Sequence, residues 1–229
     1  MAPYDDKDTQ LPSLRSPLQR VDYPADASRS IWDEENVGVV SAIERLRPAG
    51  RWLNLCCGDG RYHEVLAKWA QNLIAIDLDP EALHRLVSRL SPSAKAKTKV
   101  ALHDVLIPLP FASEAFDGVF CSASLHLFSP AELSFVCREI HRVLCPTGIA
   151  LVDFSHSIRR ELPNKELLRY PSEHEYSKDE ALQVFRVAWS SSIEMAITTG
   201  EVAPHPIDLG GLNYIFSSSA FMIEIKKGV

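Results

Sequence analysis

The 229-residue chain lacks the features that mark several large classes of protein. No apolar run approaches the roughly 20 residues that a membrane helix needs, and the acidic first ten residues lack the basic and apolar regions of a secretory signal. The five cysteines are an odd number in apolar surroundings, which favours reduced thiols and predicts a cytoplasmic protein. A net charge of −6 argues against general binding to nucleic acid or anionic lipid.

Several short motifs are also missing. No G-x-x-x-x-G-K-[ST] sequence occurs, which excludes a P-loop, and Gly58 and Gly60 do not extend into the G-x-G-x-x-G fingerprint of nicotinamide dinucleotide sites. The cysteines form no C-x-x-C pair, and the histidines show no H-x-x-x-H spacing with a third ligand. We therefore predict no metal site.

Short apolar runs alternate with amphipathic helices along most of the chain. Buried strands are predicted at residues 51–56, 73–76, 100–102, 117–121 and 149–154. Strands that alternate with helices predict a parallel sheet with helices on both faces. This pattern places the chain in the α/β class.

The end of the chain breaks this alternation. Residues 193–199 and 220–226 are rich in strand-forming residues and have no helix between them, so they are predicted to pair antiparallel at the sheet edge. The lysine-rich run Lys95–Lys99 is predicted to be a solvated loop.

Three loops at one edge of this sheet carry the chemistry. In an open α/β sheet, ligands bind at the carboxyl ends of the strands. The first strand leads into a turn with Gly58 and Gly60, which lets the backbone approach a ligand closely. Asp77 ends the second strand, where a carboxylate can accept hydrogen bonds from ribose hydroxyls, and Asp104 follows the third, where it can accept one from adenine. Together they predict an adenosine-containing ligand.

Four stretches in this order resemble the class I S-adenosylmethionine-dependent methyltransferases, in particular their type 11-like group. They are residues 53–61, 74–83, 103–120 and 139–148, and the resemblance covers about residues 36–157. It implies a Rossmann-like seven-stranded, mostly parallel sheet with an antiparallel last strand. It also implies S-adenosylmethionine as cofactor and in-line methyl transfer to an acceptor, which we expect to be a small molecule.

The resemblance also implies which residues contact the cofactor. They are Asn54, Cys56, Gly58, Gly60, Asp77, Leu78, Asp104, Val105 and Cys121. Two of them depart from the family pattern, since Asn54 stands where an acid is usual and Cys56 where a glycine is usual. These departures leave open a catalytically degenerate partner or regulatory subunit, and transfer to tRNA is a further alternative.

Candidate acceptor-side residues follow the fourth and fifth strands. His126 and His156 are candidate general bases, whereas His63 is expected to lie at the surface. Tyr23 and Trp32 are candidates to close over the cofactor. Aromatic residues suited to an acceptor pocket are Phe128, Tyr170, Tyr176, Trp189, Tyr214 and Phe216.

The domain organisation follows from the same pattern. Residues 1–30 are predicted to be an N-terminal arm, and residues 31–229 a single domain. Its cofactor-binding half spans about 36–157, and an acceptor-side insert with a C-terminal hairpin spans about 158–229. The oligomeric state has no signature in the sequence.

Overall fold

Seven strands form one sheet in the computed structural model, which describes residue 23 and residues 28–32, 35–169, 173–189, 193–209 and 212–228. The strands are β1 (Arg51–Leu55), β2 (Asn72–Asp77), β3 (Thr98–Leu102), β4 (Phe116–Ser122), β5 (Leu144–Glu161), β6 (Ile193–Leu209) and β7 (Leu212–Lys227). Most of the predicted arm, residues 1–30, lies outside the described residues.

The strand order is β3-β2-β1-β4-β5-β7-β6. Strands β1 to β5 run parallel, β7 pairs antiparallel with β5, and β6 pairs antiparallel with β7. This order confirms the predicted fold class and the antiparallel last strand. The chain reverses its direction of progress across the sheet between β1 and β4, where such sheets form their binding crevice.

Six helices are described. They are α1 (Val37–Leu46), α2 (His63–Trp69), α3 (Pro80–Arg89), α4 (Pro92–Lys97), α5 (Pro130–Val143) and α6 (Lys178–Trp189). A short 3-10 turn at Leu125–Leu127 follows β4. None of the described helices is long and apolar enough to span a membrane.

The predicted start signals set the first residues of α3 and α5. The Asp79 carboxylate accepts from the backbone N–H of Glu81 at 2.8 Å, and Pro80 occupies the first turn, where no intrahelical donor is needed. Ser129 and Glu132 form the predicted capping box at the start of α5. Both caps lie on the side of the sheet where the strands end.

Two apolar clusters bury the two faces of the sheet. Helices α5 and α6 cover one face, and α1, α2 and α4 cover the other. The largest fully buried side chains include Trp189 and Phe154 on the first face and Ile43 on the second. This double cover explains why the central strands read as continuous apolar runs.

The structure corrects the prediction for the lysine run. Lys95 and Lys97 lie in α4, and Thr98 opens β3, so this stretch is not a loop. Ser91 begins the helix by accepting from the backbone N–H of Ala94 at 3.2 Å, and Pro92 occupies the first turn. The Ala94 side chain is buried against α2, so packing stabilises a helix that is too short to be stable alone.

The last three strands are longer than predicted. Strand β5 continues to Glu161, and the β6–β7 pairing extends from Ile193 and Lys227 to Leu209 and Leu212. Mutual pairing satisfies the backbone groups of these polar and proline-containing stretches, which have weak strand propensity of their own.

Candidate functional site

A large cleft opens at the carboxyl ends of β1, β2 and β4, where the strand order reverses. Its volume is about 1710 Å³, above the roughly 300–1,000 Å³ of a site for one small ligand. Residues from every predicted loop line it: Asn54, Cys56, Gly58, Asp77, Leu78, Asp104, Val105 and His126. Eight of the predicted site residues therefore meet at this cleft.

The turn after β1 presents backbone to the cleft. Gly58 has φ +52°, and a Cβ added there would lie 3.2 Å from the indole nitrogen of Trp32. Gly60 has φ +85°, but its added Cβ would meet Cγ of Leu86 in α3 at 2.7 Å. Gly58 therefore faces the cleft, as predicted, whereas Gly60 allows the turn to pack against α3 and does not line the cleft.

Asp77 holds this turn from the end of β2. Its Oδ2 accepts from the backbone N–H of Gly58 at 2.7 Å, and its Oδ1 accepts from that of Asp79 at 3.0 Å. Burial raises the pKa of the carboxyl, although both hydrogen bonds oppose that shift. Each oxygen keeps a second lone pair, so the ionised carboxylate can accept two further hydrogen bonds from the cleft.

Asp59 is a site residue that the sequence reasoning missed. It is 1% exposed, and its two oxygens accept from the Ser30 hydroxyl at 2.7 Å and the Ile31 backbone N–H at 2.9 Å. Arg89 of α3 completes the cluster at 3.2 Å. Asp59 thus binds residues 28–32 to the turn that contains Gly58 and Gly60. This contact places Trp32 at the cleft.

Tyr23 reaches the cleft from the same side. Its hydroxyl donates to Asp79 Oδ2 at 2.8 Å, and burial, followed by this bond, raises the pKa of the phenol. The hypothesis that Tyr23 and Trp32 close over the cofactor is consistent with these positions, because both side chains line the cleft.

Asp104 and Val105 line the part of the cleft beyond Asp77. The backbone N–H of Leu106 donates to Asp104 Oδ1 at 2.9 Å, which anchors the carboxylate in its turn. The second oxygen remains able to accept from an amino group. Val105 is buried and, with Leu78, supplies an apolar wall that suits a planar base.

Asn54 and His63 form a buried pair beneath the turn. The prediction that His63 lies at the surface is wrong, since its side chain is 0% exposed. Its Nδ1 lies 3.1 Å from Asn54 Nδ2, and its Nε2 lies 3.0 Å from the Thr98 hydroxyl. Burial lowers the pKa of His63 to about 4, so the imidazole is neutral near pH 7.

A second polar group lies where the end of β4 pairs with the middle of β5. No site residue was predicted on β5 before His156. The Ser122 hydroxyl donates to Asp153 Oδ2 at 2.9 Å, and both residues line the cleft. Burial raises the pKa of the Asp153 carboxyl, although Ser122 and the positive charge of Arg61 oppose the shift. The acid Asp153 within an otherwise apolar strand is the sequence signal that could have identified this residue.

His126 lines the same part of the cleft, with 7% of its surface exposed. Burial, with the nearby charge of Arg160, lowers the pKa of His126 to about 3. Among the described residues, its Nδ1 has no hydrogen-bond partner.

The structure does not bring His156 and Cys121 to the cleft. The His156 ring packs against Phe221, with its Nδ1 3.1 Å from the Ser157 hydroxyl, on the face of β5 opposite Asp153. Cys121 is fully buried in the core beneath the cleft, and its neighbours Ser122 to Ser124 line the cleft instead. The alternation of side chains along a strand accounts for both placements.

The predicted acceptor-side aromatics divide between cleft and core. Phe128, Tyr214 and Phe216 line the cleft. Tyr176 and Trp189 pack in the core cluster of α6, where Tyr176 also donates to the Phe128 carbonyl at 2.9 Å. Tyr170 lies outside the described residues.

The two buried histidines predict loss of stability in acid. The unfolded chain protonates His63 and His126 below about pH 6.5, whereas the folded state keeps them neutral until about pH 4 and 3. The unfolded state therefore binds more protons in this window, and the free energy of unfolding falls by about 1.4 kcal/mol per pH unit for each histidine. Asp77 and Asp153, whose pKa values are raised, oppose this loss.

Denaturant unfolding of the wild-type chain and of His126→Gln between pH 6.5 and 5 isolates one histidine. The wild-type free energy of unfolding should fall more steeply, by about 1.4 kcal/mol per pH unit. Parallel pH dependences would contradict the assignment of a buried neutral imidazole at this position.

The residues of the cleft fit an adenosine-containing ligand. Gly58 offers a backbone surface that a side chain would fill, Asp77 keeps free lone pairs for hydroxyls, and Asp104 keeps one for an amino group. No group of three or more His, Cys, Asp or Glu suited to a metal ion occurs among the described residues.

Comparisons with known proteins agree with this geometry. A family model described as a methyltransferase domain matches residues 53–152. An uncharacterized methyltransferase of Synechocystis sp. is 35% identical over 109 residues, which are 47% of this chain and 49% of that protein. The chain thus matches about half the length of this curated relative.

Solved structures share the fold at low sequence identity. The YcgJ protein of Bacillus subtilis is 17% identical, with a TM-score of 0.66 over 85% of this chain and 100% of that one. A putative methyltransferase of Bacillus halodurans is 15% identical, with a TM-score of 0.60 over 83% of this chain and 99% of that one. Residues 53–152 thus match a methyltransferase domain, and the chain shares its fold with these solved structures.

Proposed function

We propose that the protein transfers the methyl group of S-adenosylmethionine to a small-molecule acceptor. One observation carries this proposal. A single cleft of about 1710 Å³ joins the adenosine-binding group around Asp77 to the polar pair Ser122 and Asp153. That volume has room for a cofactor and a second small ligand side by side.

The cofactor-binding half of the cleft positions the methyl donor. Asp77 would hold the ribose hydroxyls, Asp104 the adenine amino group, and Asn54 the methionine ammonium, while Gly58 gives the ligand room. When bound, the cofactor supplies an electrophilic methyl group on a sulfonium, whose sulfur keeps the electron pair of the broken bond. The chain contributes alignment and exclusion of water, which are the main requirements of an in-line displacement.

The other half of the cleft suits a compact and largely apolar acceptor. Phe128, Tyr214 and Phe216 supply aromatic walls. The buried Arg160 also lines this half, but its guanidinium makes two hydrogen bonds, of 2.7 and 2.8 Å, to Glu173. Because that carboxylate balances its charge, Arg160 favours no phosphate-rich acceptor, which argues for a small molecule over tRNA.

Asp153 is the proposed proton acceptor. As the acceptor's nitrogen or oxygen bonds to the methyl carbon, its proton passes to the free Asp153 oxygen. The Ser122 hydroxyl holds the other oxygen at 2.9 Å and fixes the carboxylate. A carboxyl with a raised pKa is a better base than the neighbouring His126, whose pKa is about 3. We therefore favour Asp153 over the predicted base His126, and we assign no role to His156.

A methyl-transfer screen tests this function. The protein is incubated with methyl-labelled S-adenosylmethionine and, in turn, small amines, phenols, carboxylic acids and total tRNA. We expect label in a small molecule and none in tRNA. Label in tRNA would overturn the acceptor class.

Asp153→Asn then tests the base, since it keeps the size of the side chain and an oxygen that can accept from Ser122. Turnover should fall by about 100-fold or more while cofactor affinity stays within about twofold. His156→Gln is the matched control, because His156 lies outside the cleft, and its turnover should be unchanged. Full turnover by Asp153→Asn would remove Asp153 from the reaction.

A catalytically degenerate partner or regulatory subunit is the second candidate, and Asn54 favours it. An amide in place of the usual acid removes an ionic contact, which weakens cofactor binding by about 1–3 kcal/mol. Cofactor binding without methyl transfer to any acceptor class in the screen would favour this candidate.

A further inference from the structure

A chain of hydrogen bonds runs from the cleft into the interior of the domain. It starts at Asn54 in β1, passes through His63 at the start of α2, and reaches Thr98 at the start of β3. It ends at the backbone carbonyl of Ala94 in α4, where the Thr98 hydroxyl lies at 2.8 Å. Three elements that are separate in the sequence thus converge behind one cleft residue.

The direction of each hydrogen bond is fixed from the far end. A carbonyl oxygen only accepts, so the Thr98 hydroxyl donates to Ala94 and its oxygen must accept from His63. His63 therefore carries its proton on Nε2, and its Nδ1 presents a lone pair. That lone pair accepts from the Asn54 side-chain NH₂ at 3.1 Å.

The direction of these hydrogen bonds determines which atom of the Asn54 amide faces the cleft. Its amide nitrogen is committed to His63, so its oxygen is the atom left for a ligand. If the amide were turned by half a rotation, its NH₂ would face the ligand instead. An oxygen attracts a cationic ammonium group, whereas an NH₂ repels it.

We propose that His63 and Thr98 are positioning residues that hold the Asn54 amide with its oxygen toward the ammonium group of the cofactor. The proposal rests on the proposed cofactor site. It also explains why an amide, and not the acid that is usual at this position, suits the buried neighbours of Asn54. A neutral amide pairs with a neutral buried imidazole, whereas a carboxylate here would draw a proton onto His63 and bury two charges.

Thr98→Val tests the relay, by which we mean the hydrogen bonds from Thr98 through His63 to Asn54. The substitution removes the hydroxyl and keeps the shape of the side chain. The Nε2–H of His63 would then be a buried donor without an acceptor, which is costly, so the imidazole should change tautomer. Its proton would move to Nδ1 and donate to the Asn54 oxygen, which turns the amide NH₂ toward the cleft. Thr98→Ser keeps the hydroxyl and is the matched control.

Two ligands separate a role in ammonium binding from a general structural role. S-adenosylhomocysteine carries the ammonium group, and 5′-methylthioadenosine shares the adenosine but lacks the amino acid. By calorimetry, Thr98→Val should bind S-adenosylhomocysteine about tenfold more weakly than the wild type, with less than twofold change for methylthioadenosine. Thr98→Ser should match the wild type for both ligands.

The tautomer itself is read by nitrogen NMR of His63 in the full chain without ligand. The wild type should show a protonated Nε2 and an unprotonated Nδ1 near pH 7, and Thr98→Val should reverse them. Equal loss for both ligands, no loss for either, or an unchanged tautomer would overturn the relay. A wild-type chain that binds neither ligand would instead overturn the cofactor site on which the relay depends.

Discussion

Replacing Asp77 by alanine should weaken cofactor binding by about 2–4 kcal/mol, which corresponds to about a 30- to 1,000-fold rise in the dissociation constant. Under the proposed function, two charge-assisted hydrogen bonds to the ribose hydroxyls would be lost together. The substitution also frees the backbone N–H of Gly58, which Asp77 holds at 2.7 Å, so the turn loses part of its support. Calorimetric titration with S-adenosylhomocysteine gives the affinity, and circular dichroism checks the fold.

Asp117→Ala is the matched control for Asp77→Ala. Its carboxylate also accepts from a backbone N–H, that of Arg51 at 2.8 Å, but it lies at the amino-terminal end of β1, away from the cleft. We expect its cofactor affinity to stay within about twofold of the wild type. Unchanged affinity in folded Asp77→Ala would remove Asp77 from the cofactor site.

Gly58→Val should abolish measurable cofactor binding while leaving the sheet folded. A β-branched residue at φ +52° is strained by about 1–2 kcal/mol, and its Cβ would lie 3.2 Å from the Trp32 indole nitrogen. The remaining side-chain atoms would occupy the surface on which the ligand lies. Binding is measured by calorimetry and stability by thermal unfolding, and normal affinity would show that the turn does not contact the cofactor.

Gly60→Ala should behave in the opposite way and serves as the contrast. Its Cβ would meet Leu86 at 2.7 Å behind the turn, so the free energy of unfolding should fall by about 1–3 kcal/mol. Cofactor affinity of the folded fraction should change less than in Gly58→Val. Comparison of Gly58→Val with Gly60→Ala therefore distinguishes a glycine required for ligand binding from one required for packing.

The parts of the fold that follow from local periodicity were predictable. The five parallel strands, the caps Asp79 and Ser129, and the antiparallel hairpin all leave a signal within a few residues of themselves. The three loops that line the cleft at Gly58, Asp77 and Asp104 were predictable for the same reason. Parallel strands have their carboxyl ends at the same edge of the sheet. This arrangement alone brings Gly58, Asp77 and Asp104 close together.

The burial of a side chain was not predictable where it depends on packing against another element of the fold. His63, on the helix that follows the Gly58 turn, was expected at the surface. Helix α4 packs there, and the Lys97 ammonium donates to the Ala67 carbonyl at 2.9 Å. Because the stretch around Lys97 looked like a solvated loop, nothing in the pattern showed that His63 and Thr98 would meet.

The acceptor side shows the same limit of local patterns. His156 and Asp153 both follow the apolar core of β5, and the sequence gives no sign of which face each occupies. Pairing with β4 sets Asp153 opposite Ser122, at the cleft, and the alternation then turns His156 away. Asp59 likewise finds its partners Ser30 and Ile31 only in the folded chain.

Calorimetric titration of the wild-type chain with S-adenosylhomocysteine tests the central claim most directly. The cleft predicts saturable binding of one ligand per chain. It also predicts that a hundredfold excess over the dissociation constant raises the free energy of unfolding by about 2.7 kcal/mol. A nicotinamide dinucleotide should not compete, because the G-x-G-x-x-G fingerprint is missing. No heat and no stabilisation at millimolar ligand, or displacement by the dinucleotide, would contradict the account.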